Sequence, residues 1–243
     1  MKITVVIPTY NEAENLPELA SALFSLPLSS LDLLIVDDNS PDGTGQVADD
    51  LAQEYPGRVF VLHRAGKLGF GSAYITGFKQ ALDNGAEIVV QMDADFSHNP
   101  ERVVDLVKKL EECDMALGSR YVEGGDVDEG WAFWRKGLSY FGNFYTRLIL
   151  GLPIRDITGG FRAWRRETLL GIALDQIKSN GYVFQVEMAY SAHQCGYTIM
   201  EVPIYFKERR WGESKMSFKI QLEAAVRVWA IRFSGRDAKK YCN

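Results

Sequence analysis

Ile88-Val89-Val90-Gln91-Met92-Asp93-Ala94-Asp95 is a β-branched run that stops at two carboxylates one residue apart. In extended backbone the side chains at i and i+2 point the same way, so two acids at a strand's carboxyl end can share one divalent cation. A cation held like that is suited to meet a diphosphate. Taken alone the pair has a blander reading, with Asp93 capping the following helix and Asp95 solvated, and the rest of the chain has to decide between them.

Working outward, short apolar runs alternate with helical patterns. Residues 3–9 read as a strand, Glu12 to Leu26 as a helix with Leu16, Leu19, Ala20 and Leu23 on one face, and Leu33 to Val36 as a second strand. Pro41 and the Asp42-Gly43-Thr44 turn open a helix through about Ala52. Val59 to Leu62 is a third strand, Phe70 to Asp83 a helix, Glu87 to Met92 a fourth strand, Pro100 to Leu110 a helix, and Asp114 to Gly118 a fifth strand. This alternation predicts βαβ crossovers, hence a mostly parallel central sheet with helices on both faces. Ligands of such sheets sit beyond the carboxyl ends of the strands. Thr9-Tyr10-Asn11-Glu12, Asp37-Asp38-Asn39-Ser40 and the Asp93/Asp95 pair all lie there, so three loops converge on one crevice.

From about residue 120 the rhythm changes. Residues 131–150 are rich in aromatics with interspersed Arg and Lys, and are expected to form two short helices. A strand near Phe161 to Trp164, a helix from about Phe184 to Cys195 and a strand from Ile199 to Phe206 follow. Residues 207–215 read as a polar loop. The last element, 216–233, carries an apolar stripe at 218, 222, 225, 226, 229 and 233 against Lys219, Glu223 and Arg227. The expected division is a catalytic domain over 1–215 and an amphipathic helix and tail over 216–243.

At 243 residues, 47% hydrophobic and 24% charged, the chain is an ordinary globular one, which excludes disorder for most of its length. The net charge of −5 conceals an asymmetry: residues 1–100 hold 14 acids against 5 Lys/Arg, and residues 101–243 hold 18 against 22. An acidic half able to hold a metal and a basic half suited to an anionic partner follow from that. Three distant cysteines, Cys113, Cys195 and Cys242, without a C-x-x-C, suggest neither a disulfide framework nor a zinc site, and a reducing cytoplasm is the expected home. The opening apolar run is too short for a signal peptide, and no stretch of about 18 apolar residues occurs, so no export and no spanning helix are expected.

Two nucleotide-binding alternatives fail on the residues. After Gly69-Phe70-Gly71 the third glycine of a dinucleotide fingerprint is replaced by Tyr74, and strand one runs into Pro8-Thr9-Tyr10-Asn11 without a glycine turn. No glycine-rich loop ends in Gly-Lys-Ser/Thr, so there is no P-loop either. Arg210-Trp211 lacks the preceding glutamine of the Q-x-x-R-W motif of processive polysaccharide synthases.

Seven collinear motifs carry a resemblance: Pro8-Thr9-Tyr10-Asn11-Glu12, Val36-Asp37-Asp38-Asn39-Ser40-Pro41-Asp42-Gly43-Thr44, Asp93-Ala94-Asp95-Phe96-Ser97-His98, Gly118-Ser119-Arg120-Tyr121, Asp156-Ile157-Thr158-Gly159-Gly160-Phe161-Arg162, Gly181-Tyr182-Val183-Phe184-Gln185 and Gly212-Glu213-Ser214-Lys215. From residue 3 to about 220 the chain resembles the dolichol-phosphate mannosyltransferases (polyprenol monophosphomannose synthases), inverting glycosyltransferases of family 2 with the GT-A, or nucleotide-diphospho-sugar transferase, fold. The resemblance implies an enzyme that moves mannose from GDP-mannose to the phosphate of a polyprenyl phosphate, with Mg²⁺ or Mn²⁺ as cofactor and no nucleic-acid partner. It assigns the donor nucleotide-sugar to Pro8, Tyr10, Glu12, Val36, Asp38, Asp93, Ala94, Asp95, Arg209 and Lys215, and the metal to Asp93, Asp95 and Ser97, the last standing where some relatives carry glutamine. Arg120, Arg135 and Ser139 match the acceptor-phosphate cluster, and with Asp95 they are the expected catalytic residues.

Chemistry supports those residue types. A phosphate monoester, with a second pKa near about 6, is already anionic at neutral pH and can attack without a dedicated base. Positioning and charge neutralisation then carry catalysis, and the planar fork of arginine matches phosphate oxygens. Closure of the 207–215 loop would exclude water from the donor. Asp42 reads as a helix-capping residue and His98 as a capping or packing one. The aromatics of 131–150 and the 216–233 helix suit either a membrane interface or plain core. The expected setting is peripheral attachment to the cytoplasmic face of a membrane, through these helices or a separate small membrane-anchoring subunit. Alternatives are a related transferase using UDP-glucose or another sugar nucleotide, and a non-catalytic nucleotide-sugar sensor or scaffold.

Overall fold

The structure, a computed structural model, describes residues 1–208, 218–234 and 241–243, with backbone alone for 218–224 and 234. The first half alternates strand and helix: β1 (Ile3–Thr9), α1 (Leu16–Phe24), β2 (Leu31–Asp37), α2 (Thr44–Glu54), β3 (Val59–His63), α3 (Phe70–Asp83), β4 (Ile88–Gln91), α4 (Arg102–Lys109) and β5 (Met115–Ser119). The second half runs β6 (Asp126–Val127), α5 (Phe133–Leu150), β7 (Arg162–Arg165), α6 (Arg166–Gly171), a 3₁₀ turn (Leu174–Gln176), α7 (Tyr182–Gln194), β8 (Ile199–Pro203), β9 (Tyr205–Phe206) and α8 (Phe218–Ser234).

Seven strands form one sheet in the order β3-β2-β1-β4-β7-β5-β8, parallel except for β7, which lies antiparallel between β4 and β5. β6 and β9 pair separately. The central strands are apolar on both faces because helices cover both faces. Val6, Val36, Val89 and Trp164 belong to one core layer with α3 and α7, while Val5, Ile35, Val90 and Ala163 belong to the other with α1 and α4.

Three expectations are corrected. Within residues 131–150, Phe133 to Leu150 form one 18-residue helix rather than two: no proline interrupts it, Gly137 and Gly142 are carried inside it, and Gly151, at φ 69°, ends it. The run from Ile199 to Phe206 divides at Ile204, whose N–H bonds the Ser119 carbonyl as the chain passes from the large sheet to the small one. Cys195 and Cys242 are joined in a disulfide, which distant spacing and an odd count had argued against. Folding brings them together: the short 241–243 segment docks beside α7, with Tyr241 buried edge-on against Tyr190. Cys113 remains free and buried.

The glycines of α3 set how closely that helix approaches its neighbours. A Cβ on Gly77 would lie 2.4 Å from Val6 Cγ1, and one on Gly71 would lie 2.8 Å from the Ser179 carbonyl and 2.9 Å from the Phe184 ring. Helix propensity favours Gly77→Ala by about 1 kcal/mol, but overpacking typically costs about 1–3 kcal/mol and acts here against a side chain fixed in the central sheet. Gly77→Ala is therefore expected to lower the urea midpoint with the slope of the transition unchanged, and a midpoint at or above that of the parent would contradict this packing account.

Candidate active site

The carboxylate couple follows β4 at the sheet's centre. Asp95 Oδ1 accepts hydrogen bonds from the Ser97 N–H (3.1 Å) and the Ser97 hydroxyl (2.6 Å), which curls the chain into a turn and holds Phe96 at φ 58°. A bulky residue in the left-handed region costs of order 1–3 kcal/mol, a cost the surrounding fold sustains where the turn has a use. Ser97 thus supports Asp95 directly. Asp93 Oδ1 accepts from the phenol of Tyr74 at 2.9 Å, and the Asp93 N–H approaches His98 Nδ1 at 3.4 Å.

His98 is stacked on Phe161 with Phe206 against its edge, so its role is packing. Burial lowers its pKa despite the raising influence of Asp93 and Asp95, leaving a neutral ring able to accept at Nδ1. Gly160 forms a floor beside the couple. A Cβ there would stand 3.2 Å from Gln185 Nε2 and 3.7 Å from both Asp93 Oδ2 and His98 Cε1. Gln185 is held by Gln91 at 2.6 Å. Beneath it, burial pushes the Arg162 guanidinium down to about 9, still charged at neutral pH, and it donates to the Ile157 and Gly159 carbonyls.

The loops after β1 and β2 build the neighbouring wall. Pro8 and Val36 are ladder partners. Asp37 is spent on structure, accepting from Thr9 and Ser40, and Asp42 caps α2 through the Thr44 N–H and hydroxyl. Asp38 is paired with Arg64 at 2.6 Å, and Arg64 also reaches Ser72. The Tyr10 ring carries the Lys67 ammonium 3.6 Å from its centroid, and Glu12 accepts from Asn15.

Arg120 follows β5 and is locked onto Asp156, whose carboxylate is fully buried. Nε and Nη2 donate to its two oxygens at 2.7 Å each, the Arg120 N–H adds a third bond, and Nη2 also meets Thr158. Burial opposes the charge, and Asp156 overcomes it, raising the guanidinium pKa. Nη1 makes no bond to Asp156 or Thr158. Arg135 lies over the Trp131 ring at 3.8 Å and donates to Glu208 at 3.1 Å. Ser139 accepts from Tyr121 at 2.7 Å, next to Arg120 in sequence.

α5 is inside out by the standard of a soluble helix. Asn143, Thr146 and Leu150 face inward, and Asn143 bonds the Thr158 N–H and the Ser139 carbonyl. Phe133 (92% exposed), Trp134, Tyr140, Phe141, Phe144 and Leu148 (71%) face out. α8 packs beside it, with the Trp229 indole donating to the Tyr145 hydroxyl at 3.0 Å. Among the side chains described in α8, Val228 and Ile231 are buried, whereas Val226, Trp229 and Phe233 of the predicted stripe are exposed. Plain core is therefore the wrong reading for these exposed aromatics, whereas Trp131 is buried against Phe206. Among the described residues no helix is long and apolar enough to cross a membrane.

The structure thus gathers Asp93, Ala94, Asp95 and Ser97, the wall of Pro8, Tyr10, Glu12, Val36 and Asp38, and Arg120, Arg135 and Ser139 at the carboxyl edge of the sheet. Arg209 and Lys215 lie outside the described residues. Sequence reasoning missed Arg64, Lys67, Tyr74 and the anchoring role of Asp156. Arg64 follows β3, so the rule that ligands meet strand ends could have found it; a tyrosine in mid-helix gave no signal.

Residues 4–171 match the sequence model of glycosyl transferase family 2. The chain is 47% identical over 243 residues to the undecaprenyl-phosphate mannosyltransferase of Micrococcus luteus, covering 98% of this chain and 99% of the relative. It is 46% identical over 231 residues to the polyprenol monophosphomannose synthase of Mycolicibacterium smegmatis, covering 94% and 86%. Among solved structures, a mannosyltransferase from Pyrobaculum calidifontis in complex with GDP-mannose and Mn²⁺ superposes with a TM-score of 0.60 at 18% identity, covering 97% of this chain and 64% of the other. At that identity it attests the fold.

Removing one partner of a buried ion pair leaves an uncompensated charge and costs about 3–5 kcal/mol. Asp156→Asn is expected to lower stability by about that amount in urea unfolding, whereas Glu208→Gln, which breaks a pair at the surface, is expected to change it by less than about 1 kcal/mol. Equal losses would remove the distinction drawn between the two arginines.

Proposed function

The chain belongs to glycosyl transferase family 2, and from that premise we propose that it transfers mannose, with inversion, from GDP-mannose to the phosphate of a polyprenyl phosphate, giving polyprenyl phosphate mannose. The carrying observation is that the 156–160 turn serves both sides of the crevice: Asp156 anchors Arg120, and Gly160 lies against Asp93. Two relatives bearing the names of polyprenyl-phosphate mannose transferases, at 46–47% identity, support this reading.

In this account Asp38, with Tyr10, Glu12, Pro8 and Val36, receives the nucleoside, and an oxygen of the acceptor phosphate attacks the anomeric carbon as GDP departs. Arg120, Arg135 and Ser139 orient that phosphate and offset its charge. Asp93 and Asp95, supported by Ser97, would hold Mg²⁺ or Mn²⁺. The donor set fits in kind: the carboxylates are hard oxygen donors, Asp93 Oδ2 lies towards the Gly160 floor, and a hard cation on two carboxylates completes its shell with phosphate oxygens. Such a cation supplies charge neutralisation for the leaving diphosphate. Arg209 and Lys215 are assigned to the same diphosphate by the family motif. The catalytic unit is taken as 1–215, with 216–243 appended.

The exposed aromatics of α5 and α8, with Arg135, Lys136 and Arg147 among them, suit the boundary between headgroups and acyl chains. We assign the chain to the cytoplasmic face of a membrane, where the acceptor lipid resides, with or without a small anchoring subunit.

Purified protein incubated with polyprenyl phosphate, Mg²⁺ and labelled sugar nucleotides is expected to consume GDP-mannose; use of UDP-glucose alone would refute the donor assignment. Asp95→Ala should abolish turnover with the circular dichroism spectrum retained, and undiminished product would favour a sensor or scaffold. Replacing Phe133, Trp134 and Phe141 by serine is expected to cut co-sedimentation with anionic phospholipid vesicles at least several-fold, and unaltered binding would remove α5 from the membrane contact.

A further inference from the structure

Tyr74 interrupts the glycine pattern of α3, and none of the roles assigned above uses it. Its side chain is fully buried, and its ring is clamped on three sides. Phe184 lies parallel to it with centroids 5.9 Å apart, Phe70 meets it edge-on at 4.9 Å, and Phe78 is tilted against it at 5.6 Å. The clamp follows from the small residues of the helix. Gly71 admits the Phe184 ring and Gly77 admits Val6, so α3 lies close enough to the sheet for the phenol to reach the end of β4. There it donates to Asp93 Oδ1 at 2.9 Å.

A phenylalanine would fill the same aromatic niche without a polar atom to satisfy, and burying a hydroxyl is unfavourable unless it is bonded. Packing therefore gives no reason for the oxygen. Among the described residues the hydroxyl's partner is a carboxylate that, on the reading above, holds a divalent cation. Hydrogen bonds to a ligating carboxylate fix its orientation and commonly change metal affinity 10–100-fold. The other oxygen, Asp93 Oδ2, is the one that lies towards the Gly160 floor.

We propose that Tyr74 is a positioning residue, its hydroxyl holding the Asp93 carboxylate in the orientation that receives the cation. The Gly181-Tyr182-Val183-Phe184-Gln185 motif then has a task on the same wall: Phe184 sets the angle of the Tyr74 ring, and Gln185 borders the floor. The inference rests on the assignment of Asp93 and Asp95 as cation ligands.

Free Mn²⁺ measured by electron paramagnetic resonance, in titrations of the full chain with GDP present, tests it. Tyr74→Phe is expected to raise the Kd for Mn²⁺ about tenfold or more with the melting temperature retained, while Tyr190→Phe, a buried tyrosine packed against Tyr241, leaves the Kd unchanged. A Kd for Tyr74→Phe within twofold of the parent, with the parent binding normally, overturns the Tyr74 inference alone. Absence of Mn²⁺ binding by the parent overturns the cation assignment and this inference with it. Should Tyr74→Phe fail to fold, Phe184→Leu carries the test: it keeps the hydroxyl but frees the ring, a raised Kd supports the positioning role, and an unaltered one ends it.

Discussion

The site depends on one strand running the wrong way. β7 enters a parallel sheet antiparallel, between β4 and β5, and its register sets Arg162 opposite both Gln91 and Leu117. The start of β7 therefore lies where β4 and β5 end. The turn that precedes it, 156–160, is delivered to the edge at which Asp93 and Arg120 emerge. Had β7 been parallel, that turn would lie at the opposite edge, and neither the Asp156 anchor nor the Gly160 floor would exist. The sheet hydrogen bonds that fix this register also fix the spacing between the acidic couple and the basic cluster.

Within that frame the two arginines are prepared differently. Arg120 is bound through Nε and Nη2 to a buried carboxylate, in a geometry reinforced by Thr158 and by its own backbone N–H. Such a side chain cannot relax towards an incoming anion, so its direction is set during folding, which is what electrostatic preorganisation requires. Arg135 is held by Glu208 at the surface, where an ion pair contributes little, and rests on the Trp131 face. An acceptor phosphate can displace that carboxylate at small cost. Under the proposed reaction a fixed cation and an exchangeable one together recognise a phosphate that arrives and leaves as part of a lipid.

The first half of the fold was legible because its strands and helices obey local periodicity, and the rule that ligands meet strand ends directed attention to Asp38 and Asp95. The orientation of β7 was not legible, since four residues of strand carry no mark of direction. Periodicity marks the stripe of α8 but not the way it faces: among the side chains described there, Val228 and Ile231, outside the stripe, are buried. For α5 the clue was present but ambiguous, because an aromatic face serves lipid and core equally well, and only the inward Asn143 and Thr146 settle that it is turned out. The Cys195–Cys242 disulfide and the Tyr74 hydroxyl depend on contacts across 47 and 19 residues of sequence, which no local signal carries.

One helix connects the outer face to the inner chemistry. Arg135 and Ser139 stand one turn apart on α5, about 6 Å along its axis, and Trp134, Tyr140 and Phe141 flank them on the exposed side. Because Asn143 ties the same helix to Thr158, and Thr158 meets Arg120, α5 cannot shift without disturbing the setting of Arg120. Under the proposed reaction the depth at which the aromatics seat in a bilayer fixes the height of Arg135 and Ser139 above it. A polyprenyl phosphate presents its charged group at the membrane surface while its chain stays in the hydrocarbon. A transferase whose acceptor residues lie on an interfacial helix can meet that phosphate at its resting level, without extracting the lipid and exposing its chain to water. The hydrophobic effect, at about 0.8 kcal/mol per buried methylene, makes such extraction prohibitive for a long isoprenoid, and under the proposed reaction the inside-out helix answers that constraint.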